Sequence, residues 1–213
     1  VNPDAAGGVS YTNHAKITGY TLPDSRPNAT DRRGESTALA QDTVPVASAT
    51  QAKSVSPTSA PVGATVTYTL TTTIPANANY YFVDLKDQLP AGIEYVENSA
   101  VATFAGGPLV TNEPLKTGDV ASGQQLNWVI GAGTIATAVT ARQVVVTYQA
   151  KILDSVVSGT PDNTATFSWN TNLADDVPGT RIEAPATATV TILNPELRIQ
   201  KQVKLQGAAD TTY

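Results

Sequence analysis

Apolar and polar residues alternate with a period of two along most of this chain. From Ala64 to Ile74, Val66, Tyr68 and Leu70 stand against Thr65, Thr67 and Thr69, the spacing of a half-buried β-strand. Arg142 to Leu153 (RQVVVTYQAKIL), Asn163 to Asn170 (NTATFSWN) and Ala184 to Leu193 (APATATVTIL) read as strong strands. Tyr80 to Lys86 is another, running into a turn, DQLPAG, at 87 to 92, after which Ile93 to Phe104 continues as strand. Leu126 to Ile130, with Trp128, is a short strand, and Val9 to Thr18 and residues 36 to 49 alternate more weakly. Proline, glycine and asparagine clusters (PTSAPVG, PANAN, AGGP) punctuate these runs. The polar stretch from Thr111 to Gln125 is predicted to be a long loop, and GAGTIATAV a loop or one helical turn. No segment carries a convincing helical period. Short strands at this spacing predict an all-β, immunoglobulin-like, antiparallel Greek-key β-sandwich.

An internal repeat divides the chain. A shift of 148 positions lays Arg33 on Arg181, Glu35 on Glu183, Ala38 on Ala186, Ala40 on Ala188, Thr43 on Thr191, Lys53 on Lys201 and Val55 on Val203. With a gap of two residues, Asn13-His14-Ala15 falls on Asn163-Thr164-Ala165. The arginine-to-lysine spacing of 20 residues is the same in both copies. Tandem repeats are therefore expected: residues 1–49 as the closing strands of one unit, 50–195 as a complete sandwich, and 196–213 as the first strand of a third. The first of these offers sheet edges and an apolar face with too little material to cover them.

Composition narrows the function. The chain has 213 residues and 41% apolar content, enough to bury a core. A formal net charge of −5 with 15% charged residues provides no basic face, so neither nucleic acid nor an anionic membrane surface is an expected partner. No apolar run approaches the roughly 20 residues of a membrane helix, so no membrane insertion is expected. The initial residues lack the charged-then-apolar layout of a secretion signal, as expected if such segments were removed or this is an interior piece of a longer chain. There is no cysteine. A secreted β-domain without disulfides needs another means of resisting unfolding.

Enzyme signatures are missing. The single histidine, His14, has neither a cysteine nor a second histidine to work with, and reads as a strand residue facing solvent or packing locally. No glycine-rich phosphate loop follows a strand; the glycine pairs at 7–8 and 106–107 read as turns. The acidic pairs Asp84/Asp87 and Asp175/Asp176 lack the oxygen-ligand spacing of a calcium loop, and no metal or cofactor is expected.

Three residues stand out together: Lys53, opening the first strand of the complete unit; Asp87, beginning the DQLPAG turn; and Asn163, opening NTATFSW. In order along the chain, KSV, VGATVTYTLTTTIP, VDLKDQLPAGIEYVENS, VVVTYQAKI, NTATFSW and NPELRIQKQV resemble the fimbrial isopeptide-forming domains of bacterial surface proteins and the related domain of unknown function 11 repeats. The likeness covers nearly all of residues 52 to 203. It implies that Lys53 and Asn163 are joined by a spontaneous amide bond with a nearby carboxyl as catalyst. Asp87 matches the aspartate of the family's D-x-L-P-x-G turn, and Asp84 is the reserve. Lysine attacks as the neutral amine, which burial favours, and the acid assists when burial keeps it protonated. Enclosure in a core supplies the effective molarity. Three apart on a strand, Asp84 and Asp87 point to opposite faces, so one of them looks into the core. Tyr68, Phe82, Phe167 and Trp169 are the expected apolar neighbours. Without the resemblance, the same residues read equally as a solvated edge lysine, a turn-capping aspartate and a strand-opening asparagine.

The expected role is a structural stalk or fibre module of an extracellular or cell-surface filament. Its expected partners are neighbouring repeats or copies of the same protein, assembling head to tail if strands of one copy complete the sheet of another. The rival expectation is a carbohydrate- or host-protein-binding adhesin module using the 111–125 segment or exposed aromatics.

Overall fold

The computed structural model describes residues 5–21, 33–105, 111–130, 134–136, 138–156, 159–171 and 181–193. Among them there is no helix. Strands β1 (Ser10–Thr21) and β2 (Arg33–Pro45) pair antiparallel as a sheet of their own. The remaining strands are β3 (Thr50–Ser56), β4 (Ser59–Pro61), β5 (Thr65–Ile74), β6 (Tyr80–Gln88), β7 (Ile93–Tyr95), β8 (Val101–Phe104), β9 (Leu115–Asp119), β10 (Gly123–Val129), β11 (Thr134–Ile135), β12 (Arg142–Ile152), β13 (Asp162–Asn170), β14 (Arg181–Thr189) and β15 (Thr191–Leu193).

Two antiparallel sheets face each other across the core. One runs β14-β13-β6-β10-β9, with β11 also on β6; the other runs β3-β5-β12-β7, with β8 also on β12. A short parallel pair, β15 with β4, lies apart from both. The chain crosses repeatedly between sheets, so neighbours such as β5/β12 and β6/β13 are distant in sequence. This is the antiparallel sandwich that the alternation predicts.

The core follows from the same alternation. Val66, Tyr68, Leu70 and Ile74 of β5, Val144, Val146, Tyr148 and Ala150 of β12, and Ala165, Phe167 and Trp169 of β13 are all fully buried. Each large side chain removed from water in this way contributes about 1.5–3 kcal/mol. Tyr148 lies at the centre of an aromatic cluster, with ring centroids 5.4 Å from Tyr68, 5.7 Å from Trp128 and 5.8 Å from Tyr95.

Several elements depart from the sequence expectation. The polar 111–125 segment is mostly a hairpin, β9–β10, turned by Gly118 and Gly123, whose positive φ values of 79° and 109° suit glycine. The run from Ile93 to Phe104 is broken into β7 and β8 by a turn with Asn98 at φ 58°. Asp87 does not begin a turn: pairing with β10 on one side and β13 on the other carries β6 through Gln88. The connector after Lys53 contains β4, and the last run divides at Val190 into β14 and β15. The glycine pair at 106–107, Asp175/Asp176 and the segment from 196 onward, with Lys201, lie outside the described residues.

The β1–β2 hairpin is seated on one end of the sandwich. Ala5, Ala6 and Ala49 are buried there. Asn79 donates its backbone N–H to the Ala5 carbonyl (2.8 Å), Gly7 donates to the Asn79 carbonyl (3.0 Å), and the Trp169 indole N–H donates to the Gly7 carbonyl (3.0 Å). A Cβ on Gly7 would run into the Tyr80 ring, so the glycine admits this close approach. Beyond the joint, one face of the hairpin carries Tyr11 and Ile17 opposite Val44 and Ala38, and all four are exposed. His14 is exposed on the other face.

Candidate functional site

Strand parity places the three singled-out residues in the core. On β3, Ala52, Ser54 and Ser56 face outward and Val55 inward, so Lys53, two positions before Val55, shares the inner face. A slip of one residue would send the lysine to solvent. On β6, Asp87 lies inward with Leu85 and Leu89 and is flanked in the sheet by Leu126 and Ala165. Asn163 precedes Ala165 by two residues on β13 and shares its buried face. Lys53 therefore enters from the edge of one sheet, and Asp87 and Asn163 from the other.

The side chains of Lys53 and Asp87 have no solvent exposure, and Lys53 Nζ donates to Asp87 Oδ1. The Tyr148 hydroxyl donates to Asp87 Oδ2 (2.7 Å), and Asn163 Nδ2 donates to the Tyr148 hydroxyl (2.9 Å). A continuous polar chain, Lys53–Asp87–Tyr148–Asn163, thus spans the sandwich interior. Among the described residues, two buried oxygens beside it, Asn163 Oδ1 and the Tyr68 hydroxyl, have no well-aligned hydrogen-bond partner, although the Tyr68 hydroxyl lies near the Asn163 amide. Lys53 Nζ lies 5.0 Å from the Tyr68 ring centroid.

This arrangement is poorly suited to stability alone. Removing two charges from water costs several kcal/mol per ion, and a buried pair often recovers no more than that. A buried acceptor without a donor costs a further 1–3 kcal/mol or so. Such a group calls for an explanation beyond packing. Burial pulls the Lys53 ammonium down to about 8, opposed by the Asp87 charge. Tyr148 is held well above its ordinary value, first by burial and then by the Asp87 charge, so its hydroxyl stays protonated. What the site brings together is an amine with a weakened hold on its proton, a carboxyl touching it, and a primary amide, all shielded from water.

The reading of Lys53 as a solvated edge charge is overturned by its complete enclosure, and that of Asp87 as a turn cap by its place inside β6. Asp84 faces outward, where it accepts from Arg181 Nη2 (2.6 Å); it cannot share a metal with Asp87 through the sheet. Of the expected apolar neighbours, Tyr68 borders the site, while Phe167 and Trp169 lie buried further along β13. Phe82 does not: it is 41% exposed, at a positive φ of 48°. Sequence reasoning missed Tyr148. Its signal was a tyrosine at inner parity among Val144, Val146 and Ala150, where a buried hydroxyl needs a partner.

A shallow groove of about 180 Å³ lies on the outer face of the β14-β13-β6-β10-β9 sheet, bordered by Lys86, Gln88, Gln125, Thr164, Arg181 and Glu183 among others. None of its lining residues is aromatic, which gives no platform for a sugar ring.

No protein-family profile matches this chain, and no curated protein matches it. Solved structures do. The full-length major pilin SpaD of Corynebacterium diphtheriae superposes with a TM-score of 0.52 at 12% identity, over 87% of this chain and 59% of SpaD. The pilus backbone protein RrgB of Streptococcus pneumoniae is similar at 22% identity and a TM-score of 0.48, over 59% of this chain and 33% of RrgB. The chain thus spans about a third of the RrgB length it is compared with. The SpaD likeness bears on the fold alone, and it agrees with the all-β, immunoglobulin-like antiparallel sandwich that the sequence predicts.

Proposed function

We propose that this chain is a stalk module of an extracellular surface filament, and that its complete sandwich is closed by an amide bond between Lys53 Nζ and Asn163 Cγ. The observation that carries the proposal is the wholly buried Lys53–Asp87 pair, linked through Tyr148 to a buried asparagine amide whose oxygen has no well-aligned partner among the described residues. Asp87 takes a proton from Lys53, the free amine attacks Cγ, and ammonia leaves. The result is a single self-modification and not turnover.

The role fits the topology. Lys53 lies on the first strand of the sandwich and Asn163 on a late one, in opposite sheets. A covalent bridge between them would carry tension past the intervening strands. The close seat of the hairpin on the sandwich, through Gly7, Asn79 and Trp169, suits a rod that transmits force between units.

The division into closing strands (1–49), a complete unit (50–195) and an opening strand (196–213) belongs to the same proposal. Asn13 of the β1–β2 hairpin corresponds to Asn163 in the internal repeat, and Ile17 falls opposite Phe167 in the same alignment. Phe167 is fully buried, whereas Ile17 is 72% exposed, as expected of a core face awaiting its other sheet. That covering is supplied by an adjoining unit, or by a second copy through strand addition.

Intact mass spectrometry of the denatured chain tests the cross-link. A mass lower than the sequence mass by one ammonia, lost in Lys53→Ala and Asn163→Ala, is the expected result. An unshifted wild-type mass would overturn it.

A further inference from the structure

Amide exchange at Asn163 demands more than a nucleophile. The amide nitrogen is a very poor leaving group until it gains a proton, and the site is closed to the water that would otherwise provide one. Asp87 is the acid at hand, yet Asn163 Nδ2 donates to the Tyr148 hydroxyl and not to Asp87. Tyr148 stands between them, 2.7 Å from Asp87 Oδ2 and 2.9 Å from Asn163 Nδ2. Its fully buried ring packs against Tyr68, Trp128 and Tyr95, with centroids 5.4, 5.7 and 5.8 Å away, which holds the hydroxyl between the two groups.

We infer that Tyr148 is a catalytic residue of this condensation, passing a proton from Asp87 to the departing nitrogen of Asn163. This rests on the cross-link proposed above. Lys53 begins as an ammonium with three hydrogens and Asp87 as a carboxylate. One proton passes from Nζ to Asp87, and the free amine bonds to Asn163 Cγ, opening the C=O bond to an oxyanion on Oδ1. By turning about its Cβ–Cγ bond, the neutral carboxyl then presents its proton to Tyr148 and its bare oxygen to Nζ, and the Tyr148 O–H turns from Asp87 toward Nδ2. Tyr148 gives its hydroxyl proton to Nδ2, now a tetrahedral amine, and is reprotonated by Asp87, which takes the second proton from Nζ. The C–Nδ2 bond breaks as the C=O bond reforms. Ammonia leaves with three hydrogens, the new amide keeps one, Tyr148 is restored, and Asp87 ends protonated.

This assignment separates two jobs. Asp87 is the acid and base at the amine, and Tyr148 is the acid at the leaving group. A tyrosine that served only to fill the core would be replaced by phenylalanine without chemical consequence.

The test follows the intact mass of the full chain after cell-free synthesis, as wild type and as Tyr148→Phe, between pH 5 and 9. Wild type is expected to lose one ammonia as it folds. The variant is expected to do so on the order of a hundredfold more slowly, and its residual rate should fall as pH rises, because the proton must then come from solvent. Thermal melts of Tyr148→Phe/Asn163→Ala against Asn163→Ala check that the fold survives. Should the phenylalanine variant fail to fold, 3-fluorotyrosine at position 148, which keeps the shape and makes the hydroxyl more acidic, must change the rate several-fold. A variant as fast as wild type, a slow variant with no pH dependence, or a fluorinated chain with an unchanged rate would overturn the relay and leave the cross-link standing. An unshifted wild-type mass would instead remove the cross-link itself.

Discussion

Asp84 and Asp87 stand three residues apart on one strand and occupy opposite worlds. Asp87 is fully buried against Lys53, while the Asp84 side chain keeps a third of its exposure and is held by Arg181. The pleat of β6 sorts the two carboxylates between the core and the surface.

Replacing each by asparagine should therefore have unequal effects. In an Asn163→Ala background, where no amide can form, Asp87→Asn leaves the Lys53 ammonium buried without a counter-charge, and urea unfolding should show a loss of about 3–5 kcal/mol. Asp84→Asn breaks a half-exposed pair and should cost under about 1 kcal/mol. With Asn163 present, the ammonia loss should vanish in the first variant and persist in the second. Equal losses of stability would contradict the assignment of Asp87 as the buried partner.

Lys53 predicts a pH dependence of known sign. Burial lowers its ionisation from the ordinary 10.5 to about 8, with Asp87 opposing. Between these values the unfolded chain holds the proton and the folded chain has lost it. The unfolded state then binds more protons, so this residue's contribution to stability rises with pH across that window and is flat below it. Urea midpoints of Asn163→Ala should gain on those of Lys53→Met/Asn163→Ala between pH 7.5 and 9.5. A constant difference would show that Lys53 is not a buried amine.

The joint between hairpin and sandwich turns on Gly7. A larger residue there meets the Tyr80 ring and displaces the carbonyl that accepts from Trp169. Gly7→Val should speed proteolytic cleavage between β2 and β3 several-fold, while the sandwich melting temperature shifts by no more than a few degrees. Unchanged cleavage would mean that the joint is held by other contacts.

Ile17 lies on the uncovered face of the hairpin. If a second copy covers that face, Ile17→Asp should abolish concentration-dependent association in light scattering without altering the melting temperature of the sandwich. Association that survives the substitution would place the contact elsewhere.

Most of this architecture is written in the sequence. A period of two over β5, β12 and β13 fixes both strand identity and the inner face, because burying one face of a pleated strand permits a single parity. It also puts Asn163, two residues before Ala165 on β13, on the inner side, and the resemblance groups it with Lys53 and Asp87. Element boundaries are less legible: β9 (LKTGD) is exposed along its whole length, so no buried face imposes an apolar alternation on it and its sequence reads as loop. Three decisions belonged to the tertiary structure alone. It chose Asp87 over Asp84, since alternation says that the two differ but not which one the opposite sheet covers. It brought in Tyr148, which is distant from Asp87 and Asn163 in sequence and meets both only when the sheets face each other. It also left Asn163 Oδ1 without a well-aligned partner among the described residues, because whether a polar atom finds a partner depends on distances across a core that no one-dimensional pattern encodes.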